Sequence, residues 1–279
     1  MTHLLTGVEG VVEDLPDRVY HSDVETLSST GARKILRSPA RFKWDLDHPS
    51  PYKRQFEIGH AAHTLILGTG SDIEVIDAPD WRANDARAAR EQALACGKTP
   101  LLAKEFEQIS ALKEAALAHE VVGPLLHRDD LVREVSMFWV DGATGAACRA
   151  RPDLATADWD LIVDYKTTTD ASPAAFMKTV GTYWYHCQQS WYQDAVEHFT
   201  GERPSFAFVV QEKDPPYQIA VYELDITAVE IARAMNAKAR LTWKACMDSG
   251  VWPSYNPAPV TIALPAWAER SLSEEYIDD

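Results

Sequence analysis

An acid and a base break into a strand-forming run, Ile162-Val163-Asp164-Tyr165-Lys166-Thr167-Thr168. β-branched and aromatic residues favour extended chain, and successive side chains of a strand alternate faces. Asp164 and Lys166 therefore share one face, and Val163 and Tyr165 share the other. A second run ends upstream at Arg151-Pro152-Asp153. With the intervening turn centred between Ala157 and Asp158, Asp153 falls opposite Ile162, on the face of Asp164. A centre displaced by half a residue puts it on the wrong face. Diagonal neighbours on paired strands lie roughly 7–8 Å apart, a gap that two carboxylates and one metal ion can close. A bound Mg²⁺ or Mn²⁺ would remove the repulsion between the acids, and hard oxygen donors with retained water suit Mg²⁺. Lys166 could then orient or deprotonate an attacking water, and metal and lysine together would stabilise charge on a phosphodiester. An exposed Asp-x-Lys pair on an edge strand has the same spacing, so both readings stay open on spacing alone.

The surrounding pattern predicts an α/β chain whose N-terminal third is mostly helical. Residues 1–27 read as an irregular arm. Ser28 or Ser29 caps a helix through about Leu36, Ser38-Pro39 interrupts or restarts it, and Ala40–Leu46 adds a turn or two before His48-Pro49-Ser50-Pro51. Phe56–Leu67 is helical and stops at Gly68, and Ile73–Ile76 is a short strand. Helices are expected over Asn84–Cys96 and Leu101–His119, which are rich in good helix formers. Val132–Val140, Ala146–Pro152 and Leu161–Tyr165 read as three successive strands with turns at Asp141-Gly142 and Ala157-Asp158. Helices at Pro173–Thr179 and Tyr185–Phe199, strands at Ser205–Gln211 and Gln218–Leu224, and a long helix over Thr227–Asp248 follow. The tail is Pro-rich and Trp-containing. One domain is expected over residues 1–279: a mainly helical part (1–125), a catalytic core (126–250) and a tail (251–279).

Totals narrow the class. The 279 residues, 46% of them hydrophobic, can fill a packed core. No run of about eighteen uncharged apolar residues exists, so no membrane span is expected, and the N-terminus lacks a secretory pattern. Cys96, Cys148, Cys187 and Cys246 are scattered, which fits reduced thiols in a cytoplasmic protein. A net charge of −15 opposes coating of nucleic acid by the whole surface. Yet seven basic residues (Arg33, Lys34, Arg37, Arg41, Lys43, Lys53 and Arg54) face only Asp45 and Asp47 in one stretch. That patch is either a confined phosphate-binding groove or a solvated charged face. Phosphate-loop, GxSxG, HExxH and GxGxxG motifs are missing, and Gly68-Thr69-Gly70 reads as a helix stop. Of the nine tryptophans, most read as core; Trp184 and Trp191, seven apart, are expected on one helix face.

The order Arg151-Pro152-Asp153, then Asp164-Tyr165-Lys166-Thr167-Thr168, then Tyr185 to Asp194 with Gln188-Gln189-Ser190-Trp191-Tyr192, resembles the PD-(D/E)XK nuclease superfamily. Within it the chain looks most like the RecE/exonuclease VIII type of phage recombination exonuclease. Gly59-His60-Ala61-Ala62-His63 is similar to that family's upstream Gly-x3-His helix. Leu27-Ser28-Ser29 with Ser38-Pro39-Ala40 resembles its N-terminal signature, and Leu264-Pro265-Ala266-Trp267-Ala268 its C-terminal stretch. Many superfamily members carry Glu where this chain has Asp164, and the RecE-type pattern accommodates Asp.

The resemblance implies a restriction-endonuclease-like core, a central mixed sheet flanked by helices. It implies His63, Asp153 and Asp164 as metal ligands, Lys166 as the catalytic lysine, and Gln188 and Tyr192 on a supporting helix. Positions four apart share a helix face, which fits Gln188 and Tyr192, though amphipathic packing alone has the same spacing; a lone histidine such as His63 is also often a core residue. His60 is left out of the ligand set, because no soft ligands cluster near it. Only Cys187 and Cys246 follow the motif, too few for an iron–sulfur cluster. The expected activity is a Mg²⁺-dependent exonuclease, with Mn²⁺ able to substitute. It would digest linear double-stranded DNA from its ends, 5′ to 3′ by resemblance, leaving 3′ strands for a RecT-type annealing protein in a bacterial host. A ring-shaped homo-oligomer with a basic lining and an acidic exterior would reconcile the charges. Arg33, Lys34, Arg37, Arg41 and Lys43 are the candidate lining. The alternatives are a structure- or sequence-selective endonuclease on the same core, or an inactive DNA-end-binding module.

Overall fold

The computed structural model describes residues 9–48, 54–69, 72–255 and 258–277, with the backbone alone for residues 54–60. The first residues of the arm, the Pro49-Ser50-Pro51 break, Lys53, Gly70 and the terminal Asp278 and Asp279 lie outside the described residues, as do the side chains of Arg54 and His60. The N-terminal part holds β1 (Gly10–Val12), α1 (Asp17–Ser22), β2 (Leu27–Ser28), α2 (Ser29–Arg37), α3 (Pro39–Asp47), α4 (Arg54–Leu67), β3 (Ile73–Ile76), α5 (Asn84–Ala95), β4 (Thr99–Leu102), α6 (Ala103–Ala118) and α7 (Val122–Leu126). Then come β5 (Leu131–Arg133), β6 (Ser136–Val140), β7 (Ala147–Ala150), β8 (Leu154–Thr156) and β9 (Leu161–Thr168). The chain closes with α8 (Pro173–Tyr183), α9 (Tyr185–Thr200), β10 (Ser205–Glu212), β11 (Ile219–Tyr222), α10 (Ile226–Ser249) and α11 (Ala266–Tyr276).

Local chemistry explains most of these limits. Ser28 Oγ accepts from Gly31 N at the start of α2, and Ser38 Oγ accepts from Arg41 N at the start of α3, where Pro39 occupies the first helical position. Such caps satisfy the orphan amides of a first turn. Gly68 ends α4 with φ +75°, a left-handed conformation that costs glycine little.

The strands form a five-stranded mixed sheet, order β11-β10-β9-β8-β5, a four-stranded sheet, order β1-β6-β7-β2, and the parallel pair β3-β4. The single expected strand Val132–Val140 is therefore two strands in different sheets. The physical reason is a shared bend in one hairpin. Its register runs unbroken from Leu131↔Thr156 to Val140↔Ala147, yet Pro152 has no N–H to continue the ladder. Opposite the interruption Glu134 is left-handed (φ +49°) and donates its N–H to Asp153 O at 3.1 Å. Both strands bend there together, and Asp153 sits in the crook.

A further correction concerns the β8–β9 turn. Leu154 pairs with Val163 and Ala155 with Ile162, so the turn is centred between Asp158 and Trp159, one whole residue beyond the expected centre. A whole-residue shift preserves facing: continued by one residue, this register sets Asp153 opposite Asp164 rather than Ile162. Trp184 and Trp191 do not share a helix face, because Trp184 is the left-handed junction between α8 and α9 (φ 57°, ψ 47°). Helix α1, within the arm expected to be irregular, helix α7, strands β4 and β8 and the tail helix α11 are additions to the expected elements.

The alternation of β9 places the core on both sides of it. Ile162 packs with Trp191, Phe206 and Phe208 beneath α9 and α10. Val163 and Tyr165 pack on the opposite side with Ile66, Leu67, Leu112 and Ala116 of α4 and α6. Helix α9 is fixed by Trp191 Nε1 donating to Arg149 O at 2.9 Å and by Asn236 Nδ2 donating to Cys187 O at 3.0 Å.

Candidate active site

Beyond Leu154 strand β8 ends, and the edge of β9 at Tyr165 has no ladder partner on that side. Side chains replace it. Tyr165 N donates to Asp153 Oδ2 at 2.9 Å, and His63 Nε2 lies 3.1 Å from Tyr165 O. His63 Nδ1 stands 3.8 Å from Asp153 Oδ2. Helix α4 thus brings His63 around the end of the sheet to the crook that carries Asp153.

Asp164 is fully buried. Its Oδ1 accepts from Gln188 Nε2 at 2.7 Å, and the same amide nitrogen contacts Tyr192 OH at 3.1 Å. Lys166 Nζ lies 2.5 Å from Asp164 Oδ2, so the ammonium is the partner of that oxygen. The Lys166 ammonium also sits 4.9 Å from the centroid of the Tyr185 ring. Strand β9 and helix α9 therefore bring Asp164, Lys166, Gln188 and Tyr192 together, and the hairpin crook and α4 add Asp153 and His63.

Electrostatics follow from this burial. Desolvation pushes Asp164 up to about 6, Lys166 opposes the rise, and the nearby Asp153 adds to it. Burial pulls the Lys166 ammonium downward, but Asp164 and Asp153 outweigh it and the net shift is upward. Burial and the Asp164 charge hold the Tyr192 phenol well above its ordinary value. Lys166 is thus a fixed cation at neutral pH. That charge suits water orientation and charge stabilisation.

Among the described residues, no three His, Cys, Asp or Glu side chains converge into a ready-made metal cage. The donor chemistry nevertheless fits a hard divalent cation: the buried Asp164 carboxylate, the Asp153 carboxylate, the His63 imidazole and the Tyr165 carbonyl. Oxygen-rich sets of this kind suit Mg²⁺ or Mn²⁺.

The five basic residues divide among three places. Arg33 donates to Tyr183 O at 2.8 Å and Arg37 to Thr182 O at 3.0 Å, so both reach the α8–α9 junction. Lys34 and Arg41 pair with Asp45 at 3.2 and 3.4 Å, and Lys43 pairs with Asp47. Only Lys34 of the five also lines a cavity of about 460 Å³, which runs along Tyr20, Arg149 and Arg151 to Asp153 and Tyr192. Arg149 and Arg151 both lie over the Tyr20 ring and pair with Asp23 and Asp17. Sequence reasoning missed this pair of arginines, although their alternate spacing at the end of β7 and just beyond it was visible. It also missed a role for Tyr185, which lies three residues before Gln188.

The model of a PDDEXK-like domain of unknown function (DUF3799) matches residues 28–258. The crystal structure of a "Putative exonuclease" from Eubacterium rectale superposes with a TM-score of 0.60 at 13% identity, covering 96% of this chain and 100% of that one. A phage-related exonuclease from Haemophilus somnus 129PT gives a TM-score of 0.34 at 9% identity over 81% and 96% of the two chains. No curated protein matches the sequence. Among the described residues no helix is long and apolar enough to cross a membrane. The first of these likenesses carries the fold: a mixed α/β, PD-(D/E)XK-type core.

Proposed function

The chain belongs to the PDDEXK-like domain family DUF3799, and from that premise and the site geometry we propose a Mg²⁺-dependent exonuclease acting on linear double-stranded DNA. The nuclease fold is common ground with the structural neighbours; metal, substrate and direction are the further step. The observation that carries it is Asp164. A carboxylate fully buried, with an ammonium against one oxygen and a second carboxylate nearby, makes a poor structural element and a good cation ligand.

In this reading Asp153, Asp164, His63 and the Tyr165 carbonyl hold Mg²⁺, with Mn²⁺ able to substitute. The metal supplies Lewis-acid activation of water and of the scissile phosphate. Gln188 holds Asp164 Oδ1 in place. Tyr192 fixes Gln188 in turn. Lys166 keeps a positive charge where charge develops on the phosphate, a role typically worth orders of magnitude in rate. Digestion runs 5′ to 3′ and leaves 3′ strands for a RecT-type annealing protein, and the protein works as a ring-shaped homo-oligomer; these rest on the RecE-type motif order and on the acidic body with its confined basic patch.

Linear duplex labelled at either the 5′ or the 3′ end, set beside covalently closed circular DNA, tests the proposal with and without Mg²⁺. Expected are Mg²⁺-dependent release of the 5′ label as mononucleotide and an intact circle. A nicked or linearised circle would replace the exonuclease by an endonuclease, and early release of the 3′ label would reverse the direction.

A further inference from the structure

The α8–α9 junction has features that packing does not account for. Helix α8 stops and α9 starts at Trp184, a bulky residue in the left-handed region (φ 57°, ψ 47°) and without a side-chain cap at the start of α9. Such a conformation is costly for a bulky residue and persists only with support from its surroundings. The Trp184 N–H donates to Val180 O, and two arginines brace the junction. Arg33 and Arg37 donate from α2 to the carbonyls of Tyr183 and Thr182, and the Arg37 guanidinium lies 4.7 Å over the Trp184 ring.

The clamp has a geometric result. Tyr183, 57% exposed, is stacked on Tyr185 with centroids 5.8 Å apart and planes 25° apart. Tyr185 is stacked in turn on buried Phe208 and carries the Lys166 ammonium over its ring. An aromatic file therefore runs from solvent at Tyr183 to the ammonium beside Asp164. Its outer end presents an open ring, and Arg37 stands exposed beside it. A stack of aromatic rings flanked by guanidinium groups matches the chemistry of a nucleic-acid strand, whose bases stack on any aromatic face while cations track its phosphates.

The geometry points to Tyr183 as a base-stacking platform that receives an unpaired nucleotide at the entrance to the active site. Trp184, Arg33 and Arg37 are the residues that position it. The inference rests on the nuclease reading for its substrate class and adds where the strand enters and by what contact. It assigns Arg33 and Arg37 a structural duty toward the platform in addition to charge. Stacking of this kind is sequence-tolerant, so the ligand is a single strand of any base composition.

Binding of a fluorescent oligothymidylate, and of an abasic strand of the same length, is measured by anisotropy in EDTA with wild type, Tyr183→Ala and Tyr183→Phe. Stacking contributes about 1–3 kcal/mol per base, so Tyr183→Ala should weaken oligothymidylate binding roughly 5- to 150-fold. Abasic binding should stay unchanged, and Tyr183→Phe should behave as wild type. Thermal melts check folding, which truncation of so exposed a ring should leave intact. Equal affinity of wild type and Tyr183→Ala for oligothymidylate overturns the platform, as does an equal loss on the abasic strand or a failure of wild type to bind either. Mg²⁺-dependent digestion is followed in parallel. Cleavage with unchanged Tyr183→Ala binding removes the platform and keeps the nuclease; base-dependent binding without cleavage does the reverse.

Discussion

Asp164→Asn isolates the cost of keeping a charged carboxylate in the core. The folded-state value of Asp164 is raised from 3.8 to about 6 by burial, with the attraction of Lys166 already acting against the rise. The folded protein therefore binds more protons than the unfolded chain between those values, and its stability falls as pH rises through that window. By linkage the ionised group destabilises the metal-free fold by about 3 kcal/mol at pH 7, but by only about 1 kcal/mol at about pH 4.5. Asparagine cannot ionise and removes this dependence. Its amide can still accept from Gln188, but the Lys166 ammonium loses its counter-charge, a cost of about 3–5 kcal/mol that offsets the gain in absolute stability. The change of the difference with pH is free of this offset. Paired thermal melts in EDTA should show the Asn variant gaining about 2 kcal/mol on wild type between pH 4.5 and 7, roughly 4–8 °C in melting temperature for a chain of this size. Identical pH slopes for the two proteins would refute the assigned burial cost. Added Mg²⁺ should raise the melting temperature of wild type at pH 7 and leave the variant unmoved.

Lys166→Ala should lower cleavage at least about 100-fold, the scale of losing one preorganised charge at the reacting phosphate. Raising the pH should not restore it, and a pH-rate profile that does would return Lys166 to a proton-removing role. Gln188→Ala strips Asp164 Oδ1 of its donor and should cost about 1–3 kcal/mol in a urea melt; an unchanged midpoint would mean that water replaces the amide. Charge reversal of Lys34 and Arg37 together should weaken duplex binding and flatten its dependence on salt by about one to two units of log–log slope. Binding that is unaffected across the salt series removes both from the phosphate-contacting set.

Legibility in the sequence followed the range of the interactions. The alternation of β9 was readable because Asp164, Tyr165 and Lys166 are adjacent, and Gln188 with Tyr192 because one helical turn joins them. Ser28, Ser38 and Gly68 mark helix ends through bonds to neighbours three or four residues away. The hairpin bend was not readable. Pro152 announced an interruption, but the division of β5 from β6 depends on Glu134 meeting Asp153 across the chain. The turn centre was misplaced by one residue because Thr156 Oγ1 takes Leu161 N and Trp159 turns left-handed, a local solution that competes closely with the expected one. Trp184 misled for a similar reason: its spacing to Trp191 is helical, while its junction is braced by Arg33 and Arg37 some 150 residues earlier. His63 entered only through a resemblance, since its partner Tyr165 O is 102 residues away.

The site concentrates features that folding alone would reject. A hairpin broken at Pro152 gives up ladder bonds, a buried Asp164 faces desolvation, and Trp184 is held in a left-handed conformation. Elsewhere the larger buried polar groups find partners: Gln211 accepts from Tyr165 OH and donates to Leu112 O, and Arg240 pairs with Asp141 and Asp194 although its Nε is left over. Local violations in an otherwise consistent structure are the expected mark of function. They also share one location. The bend frees the edge of β9 at Tyr165, the free edge admits Asp153 and His63, and both lie close enough to the buried Asp164 to act on its charge. Replacing Asp164 and Lys166 by apolar residues of similar volume should therefore stabilise the fold or leave it unchanged, while removing every element from which a cation and a phosphate could be held.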